Sequence, residues 1–240
     1  YARTAGYAIG QAPAAASRGV ARIHRDAWRT LLAAPSVFLA LPLVGWLALD
    51  GLELGLAAAL PSDPPMTGAA LSVVNAVLRF FLEAWILSVL LCTTKLLATG
   101  SEVSFPTAVR AGNTAFFRTL ATSWSMTWRV TIGLALCVVP GVVLAARYAL
   151  ALPITIFGES WGAKALGESE AYVSGQWWRL FGYATAMSMI YAYIGALPGA
   201  CLALAGVSLN EVTSVLVASP FRLVFSLLTI EAALIYADTR

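Results

Sequence analysis

The sequence predicts an all-α fold: a polytopic membrane helix bundle of six transmembrane helices in three hairpin-like repeats, with cytoplasmic interfacial amphipathic helices. Three observations predict it. Of 240 residues, 60% are hydrophobic and only 11% charged, whereas a soluble domain carries about 25% charged residues. A chain this apolar cannot cover its surface in water, and bilayer is its natural solvent. The apolar residues also gather into long runs, and Lys and Arg concentrate in alternate linkers.

The first element, 12–32, is an interfacial helix. Arg18, Arg22, Arg25 and Arg29 line one stripe, while Val20, Ile23, Ala27 and Leu31 line the other, with Trp28 at the edge. Such a helix lies in the membrane plane with its arginines toward lipid phosphate. The only histidine, His24, projects near the apolar side. It reads as a packed or hydrogen-bonded residue rather than a ligand or base.

Span one is 35–60, with Asp50 and Glu53 near its far end. Span two is 69–98, where Ser72, Asn75, Arg79 and Glu83 recur on one stripe and Arg79 and Glu83 can pair on successive turns. A second interfacial helix covers 104–120, capped by Ser104 with Pro106 in its first turn. Span three is 121–139, Pro140-Gly141 makes a turn, and span four is 142–157. A third surface helix, 161–173, places Trp161, Ala165, Leu166, Ser169, Tyr172 and Val173 on one side at about 100° per residue. Spans five and six are 177–197 and 212–236, the last kinked at Pro220. All of 1–240 is one integral membrane domain.

Three joints recur: Trp28-Arg29-Thr30-Leu31, Phe117-Arg118-Thr119-Leu120 and Trp178-Arg179-Leu180-Phe181. In each the aromatic suits the headgroup layer and the arginine can snorkel to phosphate. Their position behind amphipathic segments makes an internal repeat plausible. The loops opposite the linkers carry no Lys or Arg, which places both termini in the cytoplasm.

Ala165-Leu166, Ser169, Gly175, Trp178-Arg179 and Phe181-Gly182, preceded by Pro140-Gly141 and Glu159, carry a family resemblance over residues 104–200. The chain resembles a bacterial six-span membrane family: the membrane domain of some glycerophosphodiester phosphodiesterases and its stand-alone relatives of unknown function. The soluble phosphodiesterase domain of the fused forms is absent from these residues. The resemblance implies a membrane module of the bacterial cytoplasmic (inner) membrane, with no catalytic residue to carry over.

The residues themselves offer no catalytic set. There is no HExxH, CxxC, G-x-S-x-G or phosphate-binding loop. Cys92, Cys137 and Cys201 sit in apolar runs at spacings that match no metal site. The expectation is no enzyme, no cofactor, no metal and no nucleic acid partner. The buried charges stand out: Arg79, Arg129, Arg147 and Arg222 against Glu83 and Glu231. A central arginine costs roughly 2.5–3.5 kcal/mol on insertion scales, so each needs a partner. Glu83 is expected to face the interior as common acceptor, with Asp50 near the interface. The expected function is a non-enzymatic membrane scaffold or accessory subunit of a larger assembly. The alternative is a transporter component for a lipid-like or anionic solute. Expected partners are anionic lipid headgroups at the cytoplasmic leaflet, and a protein partner or homo-oligomer within the membrane.

Overall fold

The computed structural model describes residues 20–59, 65–158, 160–175, 178, 181–182, 189 and 226–237. The described residues are helical, with no strand among them. Among the described residues two helices are long and apolar enough to cross a membrane, Ala70–Ala98 and Val138–Phe157, and a bent pair makes a third if counted as one span.

That bent pair begins with α1 (Val20–Ala33). It ends before Pro35, which disfavours helical geometry in the residue ahead of it. The chain then turns by 92° between 22–33 and 36–52. A π-helical turn, Ser36–Ala40, leads into α2 (Leu41–Ala59). The wider turn has a cause in Pro42, which lacks an N–H and crowds the carbonyl four residues back. α1 buries Ala27 and Leu31 and leaves Arg22, Arg25 and Arg29 exposed. This is the division its periodicity predicts.

α3 (Pro65–Ala98) changes character along its length. From Ile86 to Thr94 every residue is buried, as expected of a helix surrounded by others. Toward its start Val73, Val74, Val77, Leu78 and Phe81 are exposed. The antiparallel neighbour is α4 (Phe105–Leu136). The two touch so closely at Gly112 that a Cβ there would lie 2.3 Å from Val89 Cγ2. The Ser88 hydroxyl donates to the Gly112 carbonyl at 2.8 Å across this contact.

α4 corrects the expected division into a surface helix, 104–120, and a span, 121–139. One helix runs unbroken, capped by Ser104, with Pro106 in the first turn. Nothing between 107 and 136 breaks it, and elongation of a nucleated helix is favourable. The second Phe117-Arg118 joint therefore lies inside a continuous helix, whereas Trp28-Arg29 precedes a sharp bend. The two joints are not structurally equivalent.

The reversal after α4 falls at Cys137, which is extended at φ −170°, ψ 146°. Pro140 and Gly141, expected to form the turn, lie instead within α5 (Val138–Arg147). Pro140 is near the helix start, where its missing N–H costs nothing. Gly141 packs against α4: a Cβ there would meet Leu134 at 2.4 Å. After a break at 148–150 comes α6 (Ala151–Phe157), and α7 (Ala163–Ser174) follows.

α8 (Ser226–Ala237) joins the clusters. Leu227 and Ile230 pack with Ala27, Leu31, Phe38, Trp46 and Ile86. Ala233 packs with Leu91, Cys92 and Ile156. Tyr236 packs with Leu150, Ile154, Ala165 and Val173. The expected span 177–197 and the first half of 212–236, with Pro220, lie largely outside the described residues.

Candidate functional site

Polar contacts tie these apolar helices together, and three of them are where function can be sought.

The first joins α1 to α8. Glu231 is 1% exposed, and its Oε1 lies 2.7 Å from His24 Nδ1. Trp28 Nε1 donates to His24 Nε2 at 3.0 Å. Indole N–H is donor only, so Nε2 must accept and the ring proton sits on Nδ1, which donates to Glu231. His24 thus stands between an exposed tryptophan and a buried carboxylate. Glu231 Oε2 is buried with no hydrogen-bond partner. Periodicity placed His24 near the apolar side of its helix, but its partner lies 207 residues away.

The second joins α2 to α3. Arg79 Nη2 donates to Asp50 Oδ1 at 2.5 Å, with the side chains 27% and 4% exposed. This corrects the expected arrangement, in which Glu83 was the interior acceptor and Asp50 lay near the interface. Asp50 is buried, in the middle of Leu41–Ala59, and Glu83 is exposed. The signal available in the sequence was Asp50 itself, a carboxylate in an apolar run whose one other charge is Glu53. Pairing on successive turns drew Arg79 to Glu83 instead.

The third repairs the broken α5–α6 helix. The break leaves the Arg147 carbonyl and the Leu150 N–H without helical partners. Ser169 of α7 supplies both: its hydroxyl donates to Arg147 O at 2.7 Å and accepts from Leu150 N at 3.2 Å. Ala165, Leu166, Ser169 and Val173 form the buried face of α7, as periodicity predicts. Trp161 instead precedes the helix and is exposed. Gly162, at φ +61°, ends the loop before α7, and its N–H donates to Thr122 Oγ1 at 2.9 Å. Thr122 in turn lies 3.0 Å from Thr155 Oγ1. Ser160 donates to Glu168 at 2.6 Å. Lys95 donates to the Ile156 carbonyl at 2.7 Å, satisfying the last turn of α6 with a cation, as the helix dipole favours.

The remaining expected charges separate. Arg147 binds Glu170 Oε1 at 2.7 Å, with both side chains nearly half exposed. Arg129 is exposed on α4 and makes no ion pair or hydrogen bond with any described residue. Arg222 lies outside the described residues. Among the described residues, Arg147, Glu231 and Arg129 are therefore not joined to one another.

Among the expected anchors, Arg22, Arg25, Arg29 and Arg118 are exposed, as are Trp28, Phe117 and Trp178. Arg18 and Arg179 lie outside the described residues. An open hollow of about 420 Å³ beside the start of α7 is lined by Ser160, Trp161, Gly162, Ala163 and Lys164. Among the described residues no three His, Cys, Asp or Glu side chains are grouped to hold a metal ion.

No protein family, no curated protein and no solved structure matches the chain.

Proposed function

We propose that the chain is a non-enzymatic membrane scaffold, an accessory subunit of a larger membrane assembly. The observation that carries this reading is where its buried carboxylates go. Asp50 and Glu231, each under 5% exposed, are held by Arg79 and His24 of the same chain. Charges engaged in this way fix helices to one another. Broad outward apolar faces support the same reading: Val73, Val77 and Phe81 on α3, and Trp124, Trp128 and Leu136 on α4. Such faces suit lipid or the helices of a partner.

In this proposal the protein is a six-span component of the bacterial cytoplasmic membrane with both termini in the cytoplasm. α1 lies in the plane of the cytoplasmic leaflet, and Arg22, Arg25 and Arg29 meet anionic headgroups. The 92° bend after α1 supports that placement, because it lets a surface helix turn directly into a crossing one.

A second reading has one observation in its favour. Ser72, Asn75, Arg79 and Glu83 share a stripe of α3 beside Asp50, and a polar stripe of this kind can line a path for an anionic or lipid-like solute. Purification from native-level expression in mild detergent separates the two. A stoichiometric protein partner is the result expected of a subunit. A chain that purifies alone and gains thermal stability with an anionic solute is a transporter component instead.

A further inference from the structure

Trp28 stands one helical turn beyond His24 on α1, where side chains four residues apart are neighbours. The two rings meet at an edge, with centroids 6.2 Å apart and planes at 85°. The indole N–H ends on His24 Nε2, and His24 Nδ1 faces Glu231 Oε1. Among the described residues His24 has no other hydrogen bond or ion pair.

The two ring nitrogens answer a second proton in opposite ways. Indole N–H can only donate, so the Trp28 bond exists only while Nε2 is bare. Nδ1 carries its proton in the neutral ring and in the charged one. An added proton therefore lands on Nε2, where it sets one donor against another, and Trp28 must leave. Trp28 is 42% exposed, so water can take its N–H. The Glu231 bond is kept, because Nδ1–H goes on donating to Oε1, now from a cation to a carboxylate, which strengthens it. The competing proton site is Glu231 Oε2, which is buried without a hydrogen-bond partner, so a proton there would itself be unsatisfied. Nε2 is reached from outside, since the His24 side chain is 35% exposed.

Few other charges face the pair. Glu231 is the one charged residue of α8. The apolar cluster under α1 takes Trp46 from α2, Ile86 and Leu90 from α3 and Ala108 from α4, none of them acidic or basic. The charges nearest to Ala108 in sequence, Glu102 and Arg110, are exposed. On α1 itself Arg25 and Asp26 adjoin His24 in sequence, and Asp26 lies 3.7 Å from Arg29.

We propose that His24 is a pH switch for Trp28. The neutral imidazole holds the indole, and the imidazolium releases it while α1 stays bonded to α8. What changes is the exposed side of α1, where Arg29 and Leu32 flank the tryptophan. The proposal stands apart from the accessory-subunit reading, since it uses only contacts of α1 and α8.

The test is nuclear magnetic resonance of the full chain in detergent, with isotopically labelled histidine and tryptophan rings. His24 is the one histidine of the chain, and Trp28→Phe assigns the Trp28 signal. Histidine ordinarily changes charge between about pH 5 and 8. At the upper end the ring proton should sit on Nδ1. Through that window the Trp28 indole signal should move in step with protonation of the ring, toward the position of an indole bonded to water. The Trp161 signal, from another exposed indole, should not follow. His24→Gln should abolish the pH dependence at Trp28. Glu231→Gln should retain it, because its amide oxygen still accepts from Nδ1. A ring that protonates while Trp28 stays fixed, a neutral ring with its proton on Nε2, or a ring still neutral at the acid end overturns the proposal. So does a Trp28 transition that persists in His24→Gln, or one that vanishes in Glu231→Gln and so places the proton on the carboxylate. Should either variant fail to fold, the wild-type titration alone decides.

Discussion

His24 Nδ1 lies 2.7 Å from Glu231 Oε1, so α1 is bonded to the core of α8 across 207 residues of chain. The bond ties together the two ends of the described fold. Its histidine is oriented from the far side by Trp28.

Removing His24 therefore leaves a buried carboxylate with neither oxygen satisfied, since Oε2 already has no partner. His24→Ala should cost about 1–3 kcal/mol, the usual penalty for orphaning a buried acceptor. Trp28→Phe removes only an exposed hydrogen bond and should cost about 1 kcal/mol or less. Thermal unfolding in detergent ranks the two. A larger loss for Trp28→Phe would mean that the His24–Glu231 bond is not what holds α1.

Ser169 carries a second prediction. Its hydroxyl serves a carbonyl and an N–H at the α5–α6 break, whereas the Ser174 hydroxyl bonds only to the Ala171 carbonyl on the exposed end of the same helix. Ser169→Ala should destabilise by about 1–3 kcal/mol, and Ser174→Ala should be near neutral. Proteolysis at 148–150 should rise in the first variant alone.

Glycine substitutions test the packing. A Cβ on Gly112 would fall 2.8 Å from the Val89 Cα, where backbone must move, while one on Gly167 meets nothing within 4 Å. Gly112→Ala should destabilise by about 1–3 kcal/mol or more through overpacking. Gly167→Ala, inside an exposed helical turn, should stabilise by roughly 0.5–1 kcal/mol. Melting temperatures moving in the same direction would contradict this account of the α3–α4 contact.

The buried faces of α1 and α7 were legible in the sequence because periodicity is local. The buried face of α7, at Ala165, Leu166, Ser169 and Val173, follows from spacing alone. So does the division of α1 into arginine and apolar sides. What Ser169 does there was not legible, because the groups it satisfies belong to a break about twenty residues upstream. The reversal was misplaced for a related reason. Pro140-Gly141 has turn chemistry, yet a proline is equally at home at a helix start, and only packing of Gly141 against Leu134 decides between them. Charge pairing across helices was the least legible. Sequence shows which charges are neighbours along a helix and so favoured Arg79 with Glu83. A partner of Arg79 that spacing could not supply, Asp50, is on α2, 29 residues away.

That pair carries the central claim that the buried charges are structural. Asp50→Leu alone removes the carboxylate that Arg79 binds on α2. It should destabilise by about 3 kcal/mol, the low end for a broken buried pair because Arg79 is 27% exposed. Glu83→Gln, at an exposed position, should cost less. The decisive measurement is thermal stability and partner retention for the double variant Asp50→Leu/Arg79→Met. Apolar replacement of both members of a buried pair is often neutral or better. The account predicts recovery to within about 1 kcal/mol of wild type with the co-purifying partner intact. A double variant that folds but loses an anionic solute carried by wild type through purification would contradict it.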